Sequence, residues 1–194
     1  MILYNEQQVI QLISEDAWMM RIMQDAKTLQ LPDWWVCAGF VRSKIWDTLH
    51  GYTERTPLPD VDVIYFDPDH LDEQTEKVLE QQLHELNPHV PWSVKNEARM
   101  HVVNHITPYT SSTDAISKFP ETATALGLTL DDQDQLILTA PCGINDVLNM
   151  VLTPTPFFLE TEERIKIFEQ RMNKKNWKQI WPSIKVRTSL TLDH

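Results

Sequence analysis

Glycine is scarce in this chain, with four residues in 194. There is no Gly-rich Walker-type loop ending in Lys-Ser/Thr and no Gly-x-Ser-x-Gly elbow, which sets aside P-loop NTPases and α/β-hydrolases. Only two cysteines occur, Cys37 and Cys142, both in apolar stretches and without metal-ligand spacing. A disulfide framework is thereby excluded, and buried free thiols in a reducing cytosol are the simpler reading. No apolar run approaches the length of a membrane span, and Asn5-Glu6-Gln7-Gln8 stands where a signal peptide would be basic and then apolar. The expected location is cytoplasmic, with no membrane partner. Cations are outnumbered, 17 Lys and Arg against 28 Asp and Glu, for a formal net charge of −11. Extensive nucleic-acid binding, which depends on Lys and Arg neutralising phosphates, is disfavoured by that balance.

What is present is a folding composition: 42% hydrophobic residues and seven tryptophans. That content can bury a core, and the length fits one domain over 1–194. Within it, residues 1–30 read as a helical N-terminal part, 34–140 as a sheet core and 143–185 as C-terminal helices. Ser14 is the expected N-cap of the second amphipathic stretch, ahead of Glu15 and Asp16. From Trp34 onward the order reads strand, helix, strand, helix, strand, ending in Trp92–Asn96. Leu126–Leu130 and Leu136–Leu138 flank an Asp131–Asp134 turn and read as a β-hairpin.

The densest chemical signal is Pro59-Asp60-Val61-Asp62-Val63-Ile64-Tyr65-Phe66. Side chains alternate along a strand, so Asp60 and Asp62 project from one face with attachment points about 7 Å apart. At an effective dielectric near 20, that separation corresponds to about 2–3 kcal/mol of repulsion between the two charges. Solvent, a raised pKa or a shared divalent cation relieves it. Asp-x-Asp after a Pro-rich loop is also an ordinary solvated strand start. A pair of carboxylates sharing Mg²⁺ is what phosphoryl and nucleotidyl transfer require.

Upstream, Trp35-Val36-Cys37-Ala38-Gly39 reads as a short buried strand ending at glycine. Phe40–His50 then reads as a helix with Val41, Ile45 and Leu49 on its apolar side, closed by Gly51. Gly39 permits close backbone approach to a ligand, and the helix start presents free N–H groups and a positive dipole end to phosphate. Arg42 and Ser43 fall in that first turn, where a guanidinium and a hydroxyl suit phosphate oxygens. Arg42 also reads as a surface side chain snorkelling over its own helix.

The segment Ala38-Gly39-Phe40-Val41-Arg42-Ser43 followed by Asp60-Val61-Asp62-Val63 resembles the core of the DNA polymerase β-like nucleotidyltransferase superfamily. Three further segments resemble a narrower bacterial family of nucleotidyltransferase-like proteins: Trp92–His101, Phe119–Thr124 and Ala140–Asp146. The resemblance covers roughly 5–185. It implies an α+β fold with a small mixed sheet flanked by helices, and helical additions at both ends. It implies Asp60 and Asp62 as ligands to Mg²⁺ (or Mn²⁺), and Gly39, Arg42 and Ser43 as the holders of an NTP triphosphate. The acceptor would be a small molecule, a protein side chain or an RNA end. Two departures stand out. Phe40 follows Gly39 where the pattern has a small residue, and Lys95 and Asn96 stand where a third carboxylate is expected. Glu97, one position on, is the nearest candidate for that catalytic role. A non-catalytic protein of the same fold, binding a nucleotide or a partner, is the competing reading, and a phosphohydrolase using the same carboxylates is a third.

The rest carries less chemistry. His101 and His105 have i, i+4 spacing without a third ligand at motif spacing. Pro120 and Glu121 read as the first turn of a helix. A helix is expected from Asp146 to about Leu152, and a final one from Glu160 to about Lys175. Seven cations between Arg164 and Lys185 face only Glu169 within that helix and its sequel, which reads as the solvated side of a terminal helix. Trp177 and Trp181 are expected to dock the C-terminal segment.

Overall fold

The computed structural model describes residues 3–187, so the first two and last seven positions of the expected single-domain span lie outside the described residues. Two helices open the chain, α1 (Glu6–Ser14) and α2 (Ala17–Lys27). Strand β1 (Trp35–Cys37) leads into α3 (Gly39–Leu49), and β2 (Val61–Tyr65) into α4 (Glu73–Leu86). Strand β3 (Trp92–Asn96) runs directly into α5 (Glu97–Asn104), and α6 (Ser112–Ser117) follows. The hairpin β4 (Gly127–Leu130) and β5 (Leu136–Thr139) completes the main sheet. Beyond it lie α7 (Asn145–Leu148), β6 (Val151–Leu152), α8 (Pro156–Leu159), α9 (Glu162–Lys174), α10 (Trp177–Ile180) and β7 (Lys185–Val186).

The main sheet has the order β3-β2-β1-β4-β5. β2 and β3 are parallel, while β1 is antiparallel to both β2 and β4. The α+β class and the small mixed sheet flanked by helices are thus as the sequence implies. Strand alternation divides the sheet into two faces. Val36, Val61, Val63, Tyr65 and Val94 join the large core built with α1, α2 and α3. Cys37 and Ile64 fall on the other side, in a small cluster with Ile116 and Ala125. Asp62 shares the parity of Ile64, so the aspartates belong to this thinly covered face.

Several local expectations need correcting. Asp16, not Ser14, caps α2, accepting from the Met19 amide at 3.1 Å while holding Lys44 and Arg55. Those two cations override the desolvation that raises its pKa and bring the carboxyl down to about 2. Pro120 and Glu121 form a turn bridged to Pro154 rather than a helix, because Glu121 is fully buried against Arg171. The helix from Asn145 ends at Leu148, since Val151 and Leu152 pair with Lys185 and Val186 in a two-stranded parallel sheet. Trp177 and Trp181 dock as expected: both are buried, and the Trp181 indole donates to Asp47 at 2.8 Å. Gly127 has no room for a side chain, because a Cβ there would meet Ile116 at 2.9 Å.

Candidate nucleotide-binding site

Five of the six residues singled out from sequence line one cavity of about 360 Å³: Gly39, Arg42, Ser43, Asp60 and Asp62. The sheet explains the convergence. Cys37 at the end of β1 is paired with Asp62 on β2, so the β1–α3 turn hangs over the aspartate pair. Ala38 makes that turn with φ 57° and ψ −119°, a conformation that costs an L-residue about 1–3 kcal/mol. Its amide donates to Leu126 O at 3.0 Å, which ties the turn to the β4 side of the sheet. The strain sits where the backbone must bend to start α3 beside the carboxylates. Gly39 follows, and a Cβ on it would lie 3.4 Å from the Arg42 guanidinium.

Asp60 is exposed at the lip, and Asp62 is half-buried. Burial first, then the neighbouring Asp60 charge, lift the Asp62 carboxyl to about 6, against a hydrogen bond from Ser93. The cross-strand neighbour of Asp62 on β3 is that same Ser93. Two close carboxylates, one of them held reluctantly ionised, form a hard-oxygen donor pair that a divalent cation would neutralise.

Arg42 does not snorkel. It is buried, its Nη1 donates to Thr124 Oγ1 at 3.1 Å, and its guanidinium stacks 4.2 Å from the Trp177 ring centre, with Trp46 at 5.2 Å. Its Nε has no partner among the described residues. Desolvation pulls its pKa to about 10, partly offset by Glu121, so it stays cationic near neutrality.

Sequence reasoning missed the opposite wall. Arg171 and Lys175 of the C-terminal segment, with Trp177 and Trp181, line the same cavity. The expected solvated face of a terminal helix is therefore wrong for Arg171, which pairs with a buried carboxylate, while Lys175 is exposed and still lines the cavity. Arg171 ion-pairs with the buried Glu121, whose other oxygen is unpartnered among the described residues. The run of cations with two interleaved tryptophans was the one available signal.

Glu97 is placed elsewhere. It opens α5 at the end of β3, is 7% exposed and lines a separate cavity. Burial, then Asp62 and Glu76, raise its carboxyl to about 7. Among the described residues, no set of three Asp, Glu, His or Cys side chains converges as a metal-ligand cluster.

A family model described as nucleotidyltransferase matches residues 24–186. A solved structure described as revealing a CCA-adding enzyme head domain is 38% identical, with TM-score 0.86 over 95% of this chain and 97% of that chain. The Thermotoga maritima CCA-adding enzyme complexed with tRNA is 14% identical, with TM-score 0.52 over 97% of this chain. A CCA-adding enzyme in complex with CTP is 13% identical, with TM-score 0.54 over 96% of this chain. These last two show the fold alone, and this chain spans 44% of the length of each. No curated protein sequence matches the chain.

Proposed function

Since the chain belongs to this nucleotidyltransferase family, we propose that it moves a nucleoside monophosphate from an NTP to an acceptor hydroxyl, releasing pyrophosphate. The observation that carries this reading is one cavity in which the Asp60–Asp62 pair faces Arg42, Arg171 and Lys175. The two sides divide the work. The carboxylates suit Mg²⁺ or Mn²⁺, and the cations and the first turn of α3 suit the triphosphate. A bound divalent ion would supply Lewis-acid polarisation of the α-phosphate and a lower pKa for the attacking hydroxyl.

The remaining roles fall to the chain itself. Ser43 and the open N–H groups of the first turn of α3 orient phosphate oxygens beside the strained Ala38–Gly39 turn. Arg42, unable to rotate between Thr124 and Trp177, holds a fixed positive charge where the pyrophosphate leaving group develops negative charge. Arg171 and Lys175 add compensation that an acidic protein needs around an anionic substrate. Glu97 stands outside this cavity and takes no part in holding the metal or the triphosphate; burial and then the Asp62 charge raise its carboxyl. The family likeness to a CCA-adding head domain makes an RNA end one acceptor class to screen, beside small molecules and protein hydroxyls.

The test is calorimetric titration of each NTP with Mg²⁺ or Mn²⁺ into wild type and Asp60→Ala/Asp62→Ala, paired with pyrophosphate release in an acceptor screen. Metal-dependent binding that is lost in the double variant supports the transferase. Among the described residues no third carboxylate joins Asp60 and Asp62, which favours one alternative, a binding protein of the same fold. Nucleotide affinity indifferent to metal and to the double variant would select it. Orthophosphate release in place of nucleotide incorporation would select a phosphohydrolase.

A further inference from the structure

Glu97 belongs to a second cavity, of about 400 Å³, whose walls include Met100, Tyr109, Phe119, Phe157 and Ile167. The volume is that of a small-molecule site, and the lining is largely apolar and aromatic. Two cations also line it, but each already has its own acid. Lys118 bonds Asp114 at 2.9 Å, and Arg164 bonds Glu160 at 2.5 Å. Glu97 has none: it is 93% buried, and its carboxylate takes no hydrogen bond among the described residues. The charges facing it from neighbouring elements do not supply a partner. Asp62 on β2 and Glu76 on α4 repel it, Cys37 and Tyr109 are neutral, and Lys95 on β3 is engaged 3.6 Å from Glu76. The lining therefore carries one acid with no cation paired to it, in an aromatic-walled hollow.

We propose that this cavity binds a small organic cation, one ammonium group on an apolar or aromatic body, with the ammonium on Glu97 and the body against Met100, Tyr109, Phe119 and Phe157. An ammonium entering a half-buried site loses hydration and is retained only where a carboxylate and ring faces replace it, and this cavity offers both. A neutral ligand of the same shape would fill the hollow and leave Glu97 without a cation. The site is separate from the Asp60–Asp62 cavity and stands whether or not the transferase reading holds.

The experiment titrates phenethylammonium, and its neutral counterpart 2-phenylethanol, into the full chain while following amide resonances. Phenethylammonium is expected to shift signals of residues 97–109 and 117–120 and to bind about tenfold more tightly than the alcohol, the worth of one charge-assisted hydrogen bond. Glu97→Gln should erase that preference while leaving the spectrum folded. Should that variant fail to fold, Phe157→Ala, at a half-buried position, should weaken both probes. Equal binding of the two probes overturns the proposal. So does undiminished preference in Glu97→Gln, unchanged affinity in Phe157→Ala, shifts confined to the residues around Asp60 and Asp62, or no binding at millimolar concentration.

Discussion

The guanidinium of Arg42 lies 4.2 Å from the ring centre of Trp177, so the first turn of α3 and the start of α10 meet in the lining of the same cavity. Trp177 is 8% exposed and packs edge-on against Trp46. Trp177→Ala should therefore cost about 3–5 kcal/mol, the usual loss for a buried aromatic. Trp177→Phe, which keeps a ring under Arg42, should cost less than half of that. Urea denaturation of both variants checks this, and a loss under about 1 kcal/mol for alanine would refute the stacking account.

Arg171 and Lys175 share the cavity but not the same structural duty. Arg171 neutralises a carboxylate that is fully buried, and removing it strands Glu121. Arg171→Ala should destabilise the fold by about 3–5 kcal/mol. Lys175 is exposed, so Lys175→Ala should stay within about 0.5 kcal/mol of wild type while weakening NTP binding several-fold. Thermal denaturation beside nucleotide titration separates the two. Equal effects on stability would contradict the division.

Ala38 at φ 57° is a strained alanine. Ala38→Gly removes the Cβ penalty but adds backbone freedom to the unfolded chain. The first term is the larger at this φ and ψ, so the variant should gain about 1 kcal/mol. A chemical denaturation midpoint that falls would show that the turn is relaxed as it stands.

Glu97 sets a pH dependence with a definite sign. Its carboxyl is raised to about 7 in the folded chain from an ordinary 4.5, so the folded state holds the proton more tightly than the unfolded one. Stability is then greatest below about pH 4.5, as far as this group is concerned, and declines as pH rises towards 7. Asp62, raised to about 6, acts in the same direction. The rise of Glu97 from 4.5 to about 7 corresponds to about 3 kcal/mol. Glu97→Gln should flatten the decline between pH 5 and 8 (about 1–3 kcal/mol), measured by urea midpoints across that window. A profile as steep as wild type would refute it.

Acid stability runs the other way at Asp16. Its carboxyl is held at about 2 by Lys44 and Arg55 despite burial. Its contribution is present above about pH 4 and is lost as pH falls towards 2. Arg55 also stacks 4.1 Å from the Trp18 ring centre. Arg55→Met should raise the midpoint of acid unfolding, read by tryptophan fluorescence. An unmoved midpoint would assign the acid limb to other carboxylates.

The parts of the site legible in sequence are those whose signal is local. A period of two placed Asp60 and Asp62 on one face, and the glycine before an apolar helical repeat located the start of α3. The hairpin from Gly127 to Thr139 was equally local. Strand direction was not: β1 and β2, joined through α3, pair antiparallel, whereas β2 and β3, joined through α4, pair parallel. Arg171 and Lys175 escaped because their meeting with Asp60 spans more than a hundred residues, and only the docking of two indoles brings it about. The positive φ of Ala38 left no trace, since alanine carries no preference for it. Glu97 stood one residue past the position where a strand alternation could be trusted, and the chain had already turned into α5.

The walls of the Asp60 cavity come from residues 38–62, from Thr124 and from residues 171–181, stretches far apart in the chain. During synthesis Arg42 and the aspartate pair emerge before Arg171 and Lys175, so a nascent chain that ends short of Arg171 displays the carboxylates and Arg42 without the C-terminal wall. The cavity is complete only once that segment has been made and docked.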